Sequence, residues 1–170
     1  MAQRELEFEH VLRIRPDNWA AHTGLASICE RQARPDEAIR HLQEAIRLNP
    51  NYYPAQFNLA NLLASQNRYA DAVAHYREAQ RIRPGDYRVH LNLGNVLAAQ
   101  GQFEQALSCY AEALRLKPRY ARGHLNRGIT LTKLGRVDEA IAEFRAALAI
   151  DPNNPAARVQ LEAALKTGRP

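Results

Sequence analysis

The residues best suited to chemistry recur at fixed intervals. His22, His90 and His124 are separated by multiples of 34 residues, and His41 and His75 by 34. Histidines can ligate a metal or move protons, but a metal needs ligands converging on one point, ~2.0–2.1 Å from each nitrogen. Equivalent positions on successive units of a repeat stand a helix pair apart, and each helix–helix contact spans ~8–10 Å. The histidines therefore read as structural groups, and neither a metal nor a cofactor is expected. By the same geometry Cys29 and Cys109, which have no CxxC partner, cannot reach the ~4.4–6.8 Å Cα separation of a disulfide. They read as reduced core residues. Asp17, Asp36, Asp86, Asp138 and Asp151 stand at turns and helix starts, where capping explains them. There is no phosphate-cradling glycine loop, HExxH or GxSxG. No catalytic residue is assigned, and the chain is not expected to be an enzyme.

The interval itself sets the architecture. Pro16, Pro50, Pro84, Pro118 and Pro152 are each 34 residues after the last, and they close the similar phrases RIRP, RLNP, RIRP, RLKP and AIDP. A period of 20–50 residues implies a stacked array of one supersecondary unit. With each of these prolines as position 32, the first full unit begins at Trp19. Small residues fill position 8 (Ala26, Ala60, Gly94, Gly128) and position 20 (Ala38, Ala72, Ala106, Ala140), and large ones fill position 24 (Phe8, Leu42, Tyr76, Tyr110, Phe144). Positions 4, 7, 8 and 11 share one helical face, as do 20, 21, 24, 27 and 28. Gly101, Gly135 and Asn67 mark a turn at position 15. Each unit is thus a helix A, a tight turn, a helix B and a proline-marked turn. One such pair cannot bury its own apolar face, so the stack is the folding unit.

The pattern Leu93, Gly94, Ala106, Tyr110, Ala113 and Pro118 resembles the tetratricopeptide repeat family, and the resemblance covers the whole chain. It implies an all-α fold, a right-handed superhelical solenoid of helix-turn-helix repeats. Residues 1–170 are expected to form a single domain. An orphan helix B spans 2–18, full repeats span 19–52, 53–86, 87–120 and 121–154, and a capping helix spans 155–170. Two departures stand out. The consensus Trp at position 4 is replaced by His22, Gln56, His90 and His124, and Arg127 takes a Leu position.

The resemblance also implies that the outward face of each helix A lines a concave groove. Position 6 there reads Gly24, Asn58, Asn92, Asn126 and Gln160, and position 9 adds Asn61 and Asn95. Asparagine is a poor helix-interior residue because its side chain competes for the backbone. A ladder of amides, each both donor and acceptor, can pair with an extended peptide backbone regardless of its sequence. Beside the ladder, position 5 supplies Phe57, Leu91, Leu125 and Val159, read as an exposed apolar column. Position 2 supplies Arg88 and Arg122, suited to carboxylates. The arrangement resembles the asparagine ladder of the repeat domain of O-linked N-acetylglucosamine transferase. A carboxylate clamp of the co-chaperone kind is matched by Asn61, Asn92 and Arg122 but not by Phe57 and Asn126.

The expected function is a protein–protein interaction scaffold that binds an extended, partly apolar peptide with some acidic character. The net charge of +5 is carried by 20 Arg and 3 Lys. Several of these precede the prolines, where they offset helix dipoles, so nucleic acid is the disfavoured alternative partner. No apolar run approaches the ~20 residues of a spanning helix, no signal peptide is visible, and the expected setting is cytoplasmic. The chain is expected to be a monomer. Head-to-tail stacking of its ends is the alternative, opposed by Arg4 and Glu162 at positions that internal repeats keep small.

Overall fold

A computed structural model describes residues 2–167. Ten helices and no strands are found among the described residues: α1 (Ala2–Ile14), α2 (Trp19–Arg31), α3 (Pro35–Leu48), α4 (Tyr53–Ser65), α5 (Tyr69–Ile82), α6 (Tyr87–Ala99), α7 (Phe103–Leu116), α8 (Ala121–Lys133), α9 (Val137–Ile150) and α10 (Pro155–Thr167). The even-numbered helices begin at 19, 53, 87, 121 and 155, and α3, α5, α7 and α9 at 35, 69, 103 and 137. The interval between successive starts in each set is the interval of the prolines. Residues 168–170, the end of the expected capping segment, lie outside the described residues.

The chain divides into two compact units, Met1–Pro84 and Gly85–Pro170. In the first, α1 packs on α2, the α2/α3 and α4/α5 pairs form hairpins, and α3 packs on α4. In the second, α6/α7 and α8/α9 form hairpins, α7 packs on α8, and α10 packs on α9. Small residues permit these close approaches. A Cβ on Gly94 would lie 2.7 Å from the Tyr110 ring, and one on Gly128 would lie 2.5 Å from the Phe144 ring. Tyr76, Tyr110, Phe144 and Leu42 are the large, fully buried residues of position 24.

Helix A is buried more widely than one face. Position 3 (Ala21, Ala55, Val89, Gly123, Ala157) and position 10 (Ile28, Leu62, Val96, Thr130, Ala164) are also buried. The contact behind this is visible at Gly123, where a Cβ would lie 2.9 Å from the side chain of Leu114 on α7. Within the first unit α4 is held between α5 and α3, and within the second α8 is held between α9 and α7.

Caps and turns follow local chemistry. The side chains of Asn18, Asp86 and Asn154 accept from the backbone N–H groups of Ala21, Arg88 and Ala157, so α2 is capped by Asn18 rather than by Asp17. Arg47, Arg81 and Arg115 lie in last turns, as helix dipoles favour, and each also pairs with a glutamate three residues earlier. The charge of these three arginines is therefore neutralised in place.

The tight turns inside the hairpins hold position 15 in the left-handed region: Ala33 (φ 56°), Asn67 (φ 60°), Gly101 (φ 75°) and Gly135 (φ 73°). Alanine is the least suited of these to that backbone, since its Cβ meets the following carbonyl oxygen. Ala33→Gly is expected to stabilise the chain by about 1 kcal/mol. Urea denaturation checks this, and a destabilising change would show that the turn bears no strain.

Candidate peptide-binding face

In the second unit, α6 and α8 contact each other and carry Arg88, Leu91, Asn92, Asn95, Arg122, Leu125 and Asn126. Two of these amides interlock. Asn126 Nδ2 donates to Asn95 Oδ1 at 2.7 Å, and the same oxygen accepts from the Tyr110 hydroxyl at 3.0 Å. Tyr110 is buried on α7, and burial pushes its pKa up to about 12, so it remains a donor. Among the described residues Asn95 Nδ2 and Asn126 Oδ1 have no partner, and both side chains are half-exposed. The pair therefore presents one NH₂ donor and one carbonyl acceptor side by side.

The cations of this unit differ. Arg88 forks onto the Asp86 carboxylate, with its Nη2 2.6 Å from Oδ2 and its Nε 2.9 Å from Oδ1, so the N-cap of α6 already engages it. Arg122 is exposed and has no ion pair among the described residues. It lies one turn before Asn126 on α8, on the same face.

The apolar column expected at position 5 is corrected. Leu91 is 2% exposed and Leu125 9%, and Leu125 belongs to a buried cluster with Leu107 of α7. On α8, position 5 faces the wedge made with the preceding helix B, so its leucine is a core residue. Val159 of α10 is the exposed exception.

In the first unit, α4 presents Phe57, Asn58 and Asn61. Asn61 Oδ1 accepts from the Tyr76 hydroxyl at 2.6 Å, repeating the Tyr110–Asn95 bond. Phe57 is half-buried, stacked on Tyr53 at 5.6 Å and meeting the edge of Tyr76 at 6.2 Å. Asn58 is half-exposed. The amide column stops at Gly24 for a steric reason: a Cβ there would lie 2.4 Å from the Phe8 ring. Phe8 covers the place an asparagine takes in later repeats.

A further set of polar groups carries no motif that marks it. Positions 4 and 23, nineteen residues apart, bridge the two helices of three hairpins. His22 meets His41 at 3.1 Å, Gln56 meets His75 at 2.8 Å and His124 meets Glu143 at 2.7 Å. The outer end of the position 4 side chain reaches back to the carbonyl of the position 32 proline. Gln56 does so to Pro50 at 3.0 Å, His124 to Pro118 at 3.1 Å and Arg158 to Pro152 at 3.1 Å. This is what replaces the consensus tryptophan: a polar strut, tied at both ends. The nineteen-residue pairing of these residue types is the signal for it in the sequence.

Burial lowers the pKa of His75, and burial together with the neighbouring His22 lowers that of His41. The hydrogen bond to Glu143 raises that of His124.

The tetratricopeptide repeat profile matches residues 5–53, 30–87 and 91–155. The chain belongs to the tetratricopeptide repeat family. Comparison by sequence with curated proteins finds no match. Among solved structures, the chain is similar to YrrB, described as a TPR protein with an unusual peptide-binding site. The two share 19% identity over 94% of this chain and 82% of that one, with a TM-score of 0.83. It is similar to pilF of Pseudomonas aeruginosa at 22% identity, over 98% of this chain and 76% of that one, with a TM-score of 0.86. It is also similar to MamA of Desulfovibrio magneticus at 20% identity, over 87% and 89% of the two chains, with a TM-score of 0.78. At these identities the likeness shows the fold, a helical repeat solenoid. Proteins of this family serve as interaction scaffolds. No helix among the described residues is long and apolar enough to cross a membrane.

Proposed function

We propose that this chain is a non-enzymatic cytoplasmic scaffold that binds extended peptide on the outward faces of the even-numbered helices within each unit. The reading rests on the Asn95–Asn126 pair. Its unpartnered NH₂ and carbonyl match the C=O and N–H that an extended backbone exposes on one edge, independent of side-chain identity. Arg122, one turn away, favours an acidic side chain or a terminal carboxylate on the peptide. Asn58 and Asn61 give the first unit a shorter set of the same groups. YrrB, which shares the fold, is described as having a peptide-binding site, and that supports the class of ligand. Leu91 and Leu125 are buried and take no part, and Arg88 contributes less than Arg122 because Asp86 holds it.

The test uses fluorescently labelled peptides selected from a random-sequence display library against the full chain. Replacing Asn58, Asn92 and Asn126 together by Ala is expected to weaken binding on the order of tenfold or more, since each backbone hydrogen bond contributes ~0.5–1.5 kcal/mol. Circular dichroism should remain helical. Unchanged affinity in a folded triple variant would reject this face as the site.

A further inference from the structure

The strut of the first hairpin differs from the others in joining two imidazoles. His22 on α2 and His41 on α3 bring their Nδ1 atoms to 3.1 Å, with ring centroids 5.3 Å apart and planes inclined at 40°. His22 Nε2 lies 3.4 Å from the Pro16 carbonyl oxygen. A carbonyl only accepts, so that nitrogen carries the proton and Nδ1 keeps its lone pair on the side of His41. A backbone carbonyl holding the far N–H of a histidine is the outer-shell arrangement that fixes the tautomer of a ligating imidazole. Two nitrogens bound to one ion at ~2.0–2.1 Å, at angles between square and tetrahedral, are themselves ~2.9–3.4 Å apart. The observed separation falls within that range.

We propose that His22 and His41 together chelate one divalent transition-metal ion of the zinc class through their Nδ1 atoms. Both rings are half-buried and reachable from solvent. His41 binds as its Nε2–H tautomer, so its Nδ1 proton moves to Nε2 and no net proton is released. Among the described residues no group of three or more His, Cys, Asp or Glu side chains gathers round a common point. Water therefore completes the coordination shell, and the site is open and exchangeable. The charges within electrostatic reach of the pair are mixed, Glu37 and Glu44 against Arg34 and Arg40, so the spacing of the two nitrogens rather than the surrounding field carries the site. Arg34 pairs with Glu37 and Arg47 with Glu44, which holds these carboxylates in place. The occupied site would tie α2 to α3 and stabilise the first unit by mass action. The second hairpin supplies an internal contrast: the same positions hold Gln56 and His75, 2.8 Å apart, a strut with one imidazole.

Zinc titration of the full chain by equilibrium dialysis tests this, in a Cys109→Ser background so that the thiol does not compete. The expected result is one ion per chain, with affinity falling about tenfold or more in His22→Gln and in His41→Gln. Glutamine already serves at position 4 of the second hairpin, so His22→Gln keeps the fold, which circular dichroism verifies. Gln56→His is expected to add a second ion. Equal zinc binding by the parent and both glutamine variants would overturn the proposal, as would no binding by the parent at about 1 mM zinc. An unchanged stoichiometry in Gln56→His would overturn the claim that this spacing chelates.

Discussion

Phe144→Ala is expected to lower the unfolding free energy by about 3–5 kcal/mol, a large loss for a single side chain. The ring is wholly buried and lies so close over Gly128 that a Cβ there would meet it at 2.5 Å. Its buried cluster also holds Leu107, Leu125, Leu131, Ala140, Ala147, Ala157 and Ala164. Four of these are alanines, which have no length with which to lean into the space a lost ring leaves, and a close-packed core relaxes only partially around a deleted side chain. The cavity therefore stays open, and its cost adds to the lost transfer free energy. Phe144→Leu should cost much less, because Leu42 fills the same position in the first full repeat and is itself fully buried. Urea denaturation followed by circular dichroism measures both. A loss under about 1 kcal/mol for the alanine variant would mean that the fourth hairpin collapses onto itself and that its packing is not set by this ring.

The same small-and-large complementarity explains why so much of the fold is legible in the sequence. Positions 8, 20 and 24 are constrained by two backbones passing close together, so only Gly, Ala and one large side chain satisfy them, and the pattern survives in every full repeat. Position 15 is constrained by backbone conformation, which shows where glycine or asparagine occurs but not at Ala33. Position 5 misleads because a helical wheel assumes one buried face. A helix held between its own partner and the preceding helix B has a wider buried arc. On α8 that arc takes in Leu125, and Leu91 is buried at the same position of α6. The wheel cannot show which outward residues another element covers.

The proposed binding face is legible as a column of asparagines, yet its chemistry depends on contacts between repeats. The Tyr110 hydroxyl and Asn126 Nδ2 both point at Asn95 Oδ1, and that convergence decides which atoms of the two amides are left for the proposed peptide. Arg88 is equivalent to Arg122 by repeat position. It differs because Asp86 precedes it by two residues, whereas Tyr120 stands two residues before Arg122. Local partners, not the repeat, set which arginine faces solvent with its charge unmatched.

The strut of the fourth hairpin yields the second large effect. The Glu143 side chain is 15% exposed and binds two partners, His124 Nδ1 at 2.7 Å and Arg127 Nη1 at 2.9 Å. Arg127 occupies a slot that holds leucine in the other full repeats, and its Nε is buried without a hydrogen bond. It tolerates that slot because the carboxylate is there. Glu143→Gln removes the charge while keeping the shape, and is expected to cost about 1–3 kcal/mol. The cost should depend on pH. Both neighbours of His124, the Glu143 carboxylate and the Pro118 carbonyl, are acceptors, so the doubly protonated ring satisfies both. The bond to Glu143 is the main cause of its raised pKa, with burial opposing it. A histidine with a raised folded pKa contributes stability that is fully present below its unfolded value near 6.5 and is lost as pH rises through the folded value. His75 acts in the opposite sense: its pKa is lowered by burial, so it destabilises the fold as pH falls below about 6.5. That contribution is common to both proteins and cancels in their difference. The stability gap between the parent and Glu143→Gln, measured by urea denaturation, should therefore be wider at about pH 6 than at about pH 8. A gap of the same size at both pH values would show that His124 gains nothing from Glu143 when it is protonated.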